Sequence, residues 1–259
     1  MNDDLLTGVE AGVATITFNR PKTLNALDPA YLARFITAFR ALEDDASVRV
    51  IVLTGAGRAF SSGGDRGFLN ELVRLPPEKT REIVYRHFLG AARAVKLSTK
   101  PTIAAVNGAA IGAGCELAVA CDFRVVSREA FFCENWIELG LIPPLGGMFL
   151  LPRLIGLERA TNMVLRAQRV YGEEALRIGL ATACVEPAAL AGAALEIARE
   201  LAARSPRALA AARQGLRRGL EGSLEGEWEF NLQTQSMLFT GRDFGEAVAA
   251  MNEKRKAVF

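Results

Sequence analysis

Apolar, β-branched residues alternate with polar or small ones over Gly12 to Asn19 (GVATITFN), a period of two that predicts a half-buried strand. Asn19-Arg20-Pro21 closes it. Asp28 stands at a helix N-cap with Pro29 at the first helical position, and an amphipathic helix is expected over Tyr31 to Glu43. Val48 to Leu53 (VRVIVL) predicts a second, more buried strand, closed by Thr54-Gly55, and a Gly/Ser-rich loop follows from Gly55 to Gly67. Glu78 to Leu97 reads as one long helix, stopped by Pro101. Thr102 to Val106 predicts a short buried strand, and Gly114 to Ala120 a helix. Phe123 to Val126 and Ala130 to Trp136 predict further strands, before a loop LGLIPPLGG from Leu139 to Gly147. Beyond about residue 150 helices dominate: Arg153 to Gln168, Gly172 to Ile178, Ala188 to Arg204, with one strand near Ala183 to Val185. From Pro206 an Ala/Arg/Leu/Glu-rich stretch is expected to stay helical to Phe259. Its apolar faces either cap the chain's own core or dock on another subunit. Strand–helix alternation in the first half predicts an α/β fold with parallel strands and helices outside.

Charge narrows the function. The 31 basic and 29 acidic residues leave a net charge of +2, too little for a broad attraction to nucleic acid or an anionic membrane. Aromatics are 7% of the chain, which disfavours a base-stacking surface. His87 is the one histidine, so a multi-histidine metal site is excluded and any Ser-His-Asp triad would have to use it. Cys115, Cys121, Cys133 and Cys184 form no C-x-x-C pair and are expected as buried small hydrophobes in a reducing compartment. The acidic start, Met1 to Gly12, lacks the basic and apolar regions of a signal peptide. No uncharged apolar run reaches the roughly 20 residues of a membrane span; Pro101 to Val119 comes closest and is broken by Glu116 and its glycines. A cytoplasmic protein is expected.

Two glycine-rich loops carry the candidate chemistry. Ala59-Phe60-Ser61-Ser62-Gly63-Gly64-Asp65 follows a buried strand. Asn107 to Glu116 (NGAAIGAGCE) follows another and opens a helix, where free N–H groups and the helix dipole suit an anion or a developing oxyanion. One backbone N–H from each loop could clamp a single carbonyl oxygen. The glycines could equally serve turn geometry and close packing alone. A dinucleotide fingerprint and a P-loop are excluded by spacing, and Ser61 and Ser62 lie in no G-x-S-x-G. Glu116, in the first turn of an otherwise apolar helix, is either a dipole-paired carboxylate or a desolvated acid/base.

The segments NRPKTLNAL, VIVLTGAGRAFSSGGD, KPTIAAVNGAAIGAGCELAVACDFRV, LGLIPPLGG and MNEKRKAVF together resemble the crotonase, or enoyl-CoA hydratase/isomerase, superfamily along nearly the whole chain. The resemblance implies a spiral of ββα units over residues 1–200 and a helical C-terminal trimerisation region over 201–259, assembled as a homotrimer or hexamer. It implies acyl-CoA thioesters as substrates, with coenzyme A arriving as part of the substrate and no separate cofactor. The enolate would be held by the N–H groups of Ser62 and Ala113, with Glu116 as the first of two catalytic glutamates. Gly63, Gly112, Trp136, Glu138, Pro143 and His87 would surround the acyl group. Lys22, Ala26, Ala59 and Asp65 would line the CoA channel, and Lys254 would reach the CoA phosphates as a point charge.

One departure stands out. The second glutamate of the family precedes the glycine of L-G-x-x-P by four residues; here the glycine is Gly140 and that position is Trp136. Glu134 and Glu138 flank it, and in an extended segment all three side chains would share one face. A local slip would bring Glu138 into the pocket; otherwise both acids are surface or structural. Hydration and double-bond isomerisation both stay open. The alternatives are decarboxylation, C–C hydrolysis, dehalogenation (disfavoured by Pro144 where relatives place an attacking Asp), or a weakly catalytic CoA- or RNA-binding protein.

Overall fold

A computed structural model of the protein describes residues 4–259, so residues 1–3 of the acidic start lie outside the described residues. The chain opens with a hairpin of β1 (Leu5–Glu10) and β2 (Val13–Phe18), turned at Ala11 and Gly12 with φ of 48° and 79°. Two consecutive positive φ values make a tight turn whose twist suits antiparallel strands. The sequence did not signal β1, because its side chains are almost all exposed and carry no burial pattern. Asp28 caps α1 (Pro29–Asp44) as expected, accepting from the Tyr31 N–H at 2.8 Å.

Three ββα units follow. The first is β3 (Val50–Gly55), β4 (Ala59–Ser61), then α2 (Arg66–Leu72), α3 (Pro77–Ile83) and α4 (Gly90–Leu97). The long helix expected over Glu78 to Leu97 is α3 and α4 joined through a π-helical turn at Val84–Leu89. The second unit is β5 (Thr102–Val106), β6 (Ala109–Ile111) and α5 (Ala113–Ala120). The third is β7 (Phe123–Ser127), β8 (Phe131–Cys133) and α6 (Gly147–Ile155). The helix expected over Arg153 to Gln168 breaks at Gly156 (φ 81°) into α6 and α7 (Leu157–Arg166). Then come β9 (Val170–Tyr171), α8 (Gly172–Arg177), β10 (Ala183–Val185) and α9 (Leu190–Ala202).

Each unit gives one strand to each of two sheets. The larger runs β1-β2-β3-β5-β7-β10, parallel from β2 onward; the smaller runs β4-β6-β8-β9, with only β8–β9 antiparallel. Strand β5 is buried throughout, as its unbroken apolar run TIAAV implies. All eight residues of α5 are buried too, which explains a helix apolar on every face. Its single ionisable carboxyl, Glu116, is therefore carried into the core. Phe18 anchors the outer layer, with ring centroids 5.5 Å from both Phe35 and Phe60.

The C-terminal stretch forms α10 (Pro206–Gly219), α11 (Leu224–Phe239) and α12 (Arg242–Asn252), and leaves residues 253–259 irregular rather than helical to the end. Helix α11 has no buried residue and exposes Leu224, Trp228 and Leu232. The chain itself leaves this apolar face uncovered.

Candidate active site

The site grows from the start of α5. Gly112 precedes the helix at φ 51°, ψ −118°, and a Cβ there would stand 3.0 Å from Asn135 Oδ1 and 3.6 Å from the Trp136 ring. Only glycine fits both the conformation and the space. One turn later Glu116 lies 1% exposed. Its Oε1 accepts from the backbone N–H groups of Leu145 (2.8 Å) and Gly147 (2.7 Å), while its Oε2 is buried without a partner. The LGLIPPLGG loop thus serves as a backbone clamp on the carboxyl. The clamp uses the Leu145 N–H, which any non-proline residue supplies. Burial raises the Glu116 pKa to about 7, against the pull of those two N–H groups.

The segment around Trp136 departs from expectation. Strand β8 ends at Cys133, and Asn135–Leu139 form a 3-10 turn, so Glu134, Trp136 and Glu138 do not share one extended face. Glu138 is exposed and does not line the cavity described below. Glu134 is not a surface residue: it is fully buried, and neither carboxylate oxygen has a hydrogen-bond partner. A Cβ on Gly147 would lie 3.0 Å from Glu116 Oε1 and 3.1 Å from Glu134 Oε1, so the two carboxyls converge on one small glycine. Burial and the nearby Glu116 hold the Glu134 carboxyl well above the usual carboxylate range. The buried indole N–H of Trp136 stands beside both acids, close enough to pull the pKa of each downward, without completing a well-formed hydrogen bond to either. One signal of this was available in the sequence: an acid directly after a buried strand, with no Lys or Arg anywhere in 129–139.

The two glycine loops meet through the parallel pairing of β4 with β6. Gly114 packs on Ser61, its Cβ position 2.6 Å from the Ser61 carbonyl oxygen. Gly63, at φ 85°, has its Cβ position 2.7 Å from the Ile111 carbonyl oxygen and 3.6 Å from the Ala113 nitrogen. The structure therefore brings Ser62-Gly63 against Gly112-Ala113. The Ala113 N–H is at the first position of α5, where the helix offers it no acceptor. The Ser62 N–H is occupied: it donates to the Leu24 carbonyl at 2.9 Å.

A cavity of about 570 Å³ opens beside these loops, bounded by Gly64, Phe68, Val84, Phe88, Trp136 and Ile142 among others. Phe68 and Phe88 stack at 5.4 Å on one wall. His87, on the π-helical turn, is partly buried and does not line it; burial and Arg86 lower its pKa. Pro143 is buried in the clamp loop. Of the expected channel residues, Ala26 and Ala59 are buried and Lys22 is exposed on a 3-10 turn at Pro21–Thr23. The buried amide of Asn25, a residue sequence reasoning did not single out, ties this turn to β4 by donating to the carbonyls of Ala56 (3.0 Å) and Ala59 (2.7 Å). Asp65 caps α2, accepting from the Gly67 and Phe68 N–H groups at 2.8 and 3.2 Å. Lys254 is exposed after α12, at φ 54°.

Comparison with known proteins places this arrangement. The enoyl-CoA hydratase/isomerase family profile matches residues 8–259. The chain belongs to the enoyl-CoA hydratase/isomerase family. It is 36% identical to the short-chain-enoyl-CoA hydratase of Clostridium acetobutylicum, across 95% of this chain and 94% of the relative. It is 33% identical to the 1,2-epoxyphenylacetyl-CoA isomerase of Escherichia coli, across 100% and 99%. The crystal structure of enoyl-CoA hydratase from Bacillus anthracis superposes with a TM-score of 0.92 at 31% identity, covering 99% of this chain and 98% of that one. The ββα spiral is thus the crotonase fold, and the chain is an enzyme of this hydratase/isomerase family.

Proposed function

We propose that the protein acts on enoyl-CoA thioesters whose acyl group is apolar, by hydration or double-bond isomerisation, with Glu116 moving the proton. The observation that carries this reading is Glu116 itself: one oxygen locked by two backbone N–H groups, the other unpartnered, and a pKa of about 7. A group titrating near the working pH can both take and give a proton. The thioester carbonyl accepts from the Ala113 N–H, and from the Ser62 N–H once it displaces or shares with the Leu24 carbonyl. Charge that develops on that oxygen as an enolate forms is stabilised by both donors and by the α5 dipole. The CoA moiety runs past Lys22, Ala26, Ala59 and Asp65, with Lys254 contributed to its phosphates. It enters as the substrate's handle, without a separate cofactor. The uncovered face of α11 supports assembly as a trimer or a pair of trimers, and the setting is the cytoplasm.

The decisive assay is turnover of a straight-chain 2-enoyl-CoA in water enriched in heavy oxygen and deuterium. Hydration gives a product heavier by one water with the heavy oxygen incorporated. Isomerisation gives deuterium exchange without added oxygen. No turnover of 2- or 3-enoyl thioesters of any chain length would refute the reading.

The cavity also sets the acyl class. Thr80 brings the one hydroxyl to a wall otherwise made of glycine, aliphatic, proline and aromatic residues. Burying an unpaired carboxylate there costs more than the cavity returns. A straight 2-enoyl-CoA is therefore expected to exceed a thioester of equal length with a terminal carboxylate by about 100-fold or more in kcat/KM. Equal values would show that the acyl group lies elsewhere.

A further inference from the structure

Among the described residues, Glu134 is the one fully buried acid that the proposed chemistry does not yet employ. No cation offsets it: the titratable groups facing it are Glu116 and the Cys115 thiol of α5 and the Cys133 thiol of β8, with the Trp136 N–H beside them. Among the described residues it has no ion pair, and three of the four carboxylate oxygens of Glu116 and Glu134 lack a hydrogen-bond partner. Two ionised carboxylates cannot be held so close in such a place; the stable state carries a proton. A purely structural buried side chain at the end of β8 would be served better by an apolar residue or by a hydrogen-bonded glutamine. The position is also two residues before the one where the family's second glutamate stands, which here is Trp136.

We propose that Glu134 is the proton partner of Glu116: the two carboxyls hold one proton between them, and Glu134 resets the protonation of Glu116 during turnover. This rests on the reading of Glu116 as the acid/base and specifies the reaction as hydration. Water adds through its oxygen to the β-carbon, and its proton passes to the Glu116 carboxylate. The electron pair of the double bond moves toward the thioester carbonyl, and the α-carbon takes a proton from the pair. One proton enters from water and one leaves to carbon, so the pair ends with the single proton it began with. Glu134 acts through Glu116 and is thus a positioning residue. Trp136, no substitute for the missing glutamate, lines the acyl cavity and stands beside the pair.

The test is Glu134→Gln, nearly isosteric and still able to hydrogen-bond, read by kinetics and infrared spectroscopy. In the wild type, one buried protonated carboxyl band is expected to persist at pH above the ionisation of Glu116, and to vanish in Glu134→Gln. The variant is expected to lose about 100-fold in kcat, the usual scale for a proton-transfer partner, with KM changed by less than about 3-fold. Its pH profile is expected to lose the alkaline limb, because the pair no longer has a last proton to give up. Glu134→Asp is expected to recover part of kcat. A wild type without the carboxyl band, or a variant that keeps both kcat and the two-limbed profile, overturns the proposal. The infrared band is read on the wild type alone, so it decides even if the variant fails to fold. It also separates failure of this inference from failure of the enoyl-CoA reading, which would show as no turnover by the wild type.

Discussion

Glu116→Gln is expected to reduce kcat on a 2-enoyl-CoA by about 10²–10⁴-fold while KM stays within about 3-fold. The amide keeps the shape and can still accept from the Leu145 and Gly147 N–H groups, which bond Oε1 at 2.8 and 2.7 Å. What it loses is the titration. A fall in KM-governed binding with kcat intact would instead make Glu116 a structural ligand of the clamp loop. Stability provides an independent check. The carboxyl is held at about 7 against an ordinary value of 4.5, so across that window the folded chain binds more proton than the unfolded chain does. Stability then falls as pH rises from about 4.5 to about 7, because ionising Glu116 inside the core is unfavourable. Glu116→Gln is expected to flatten this slope in denaturant titrations run at a series of pH values. An unchanged slope would mean that the carboxyl titrates normally.

The second large effect is expected from Gly63→Ala. The substitution imposes a left-handed φ of 85° on an alanine and drives its Cβ to 2.7 Å from the Ile111 carbonyl oxygen, which is backbone and has little room to yield. The conformation alone costs about 1–3 kcal/mol. The clash falls between the two strands of backbone that carry Ser62 and Ala113, so relief must spread the donors. A loss of about 100-fold in kcat is expected, the scale of one removed oxyanion donor, together with a lowered Tm. Thermal denaturation and single-turnover rates measure the two separately. A variant with native Tm and kcat within about 2-fold would disconnect this junction from catalysis.

Much of the architecture was legible because burial repeats locally. Strands β2, β3 and β5 and helices α1 and α5 announce themselves by period, cap or unbroken apolarity. Strands β4 and β6, three residues each, were hidden inside glycine loops, since what makes them strands is mutual pairing across some 50 positions of chain. Glu116 was visible as an acid in an apolar helix. Glu134 left only a faint signal, an acid directly after a buried strand with no nearby base. Its pairing with Glu116 was hidden because alternation assumes an extended backbone beyond Cys133, where the chain instead turns into the 3-10 helix at Asn135–Leu139. Local spacing shows which face a residue takes only where the backbone keeps one geometry. The contact that matters here, two carboxyls at Gly147, joins three elements distant in sequence.

The bond from the Ser62 N–H to the Leu24 carbonyl has a consequence for selectivity. On the proposed reading the chain carries an internal competitor for its own substrate. An amide oxygen is a better acceptor than a thioester oxygen, so the resting substrate gains little by displacing it. An enolate oxygen, bearing nearly full negative charge, displaces it readily. The exchange therefore favours the reacting state over the bound one, and a donor that looks obstructed acts as a threshold that only charge can cross.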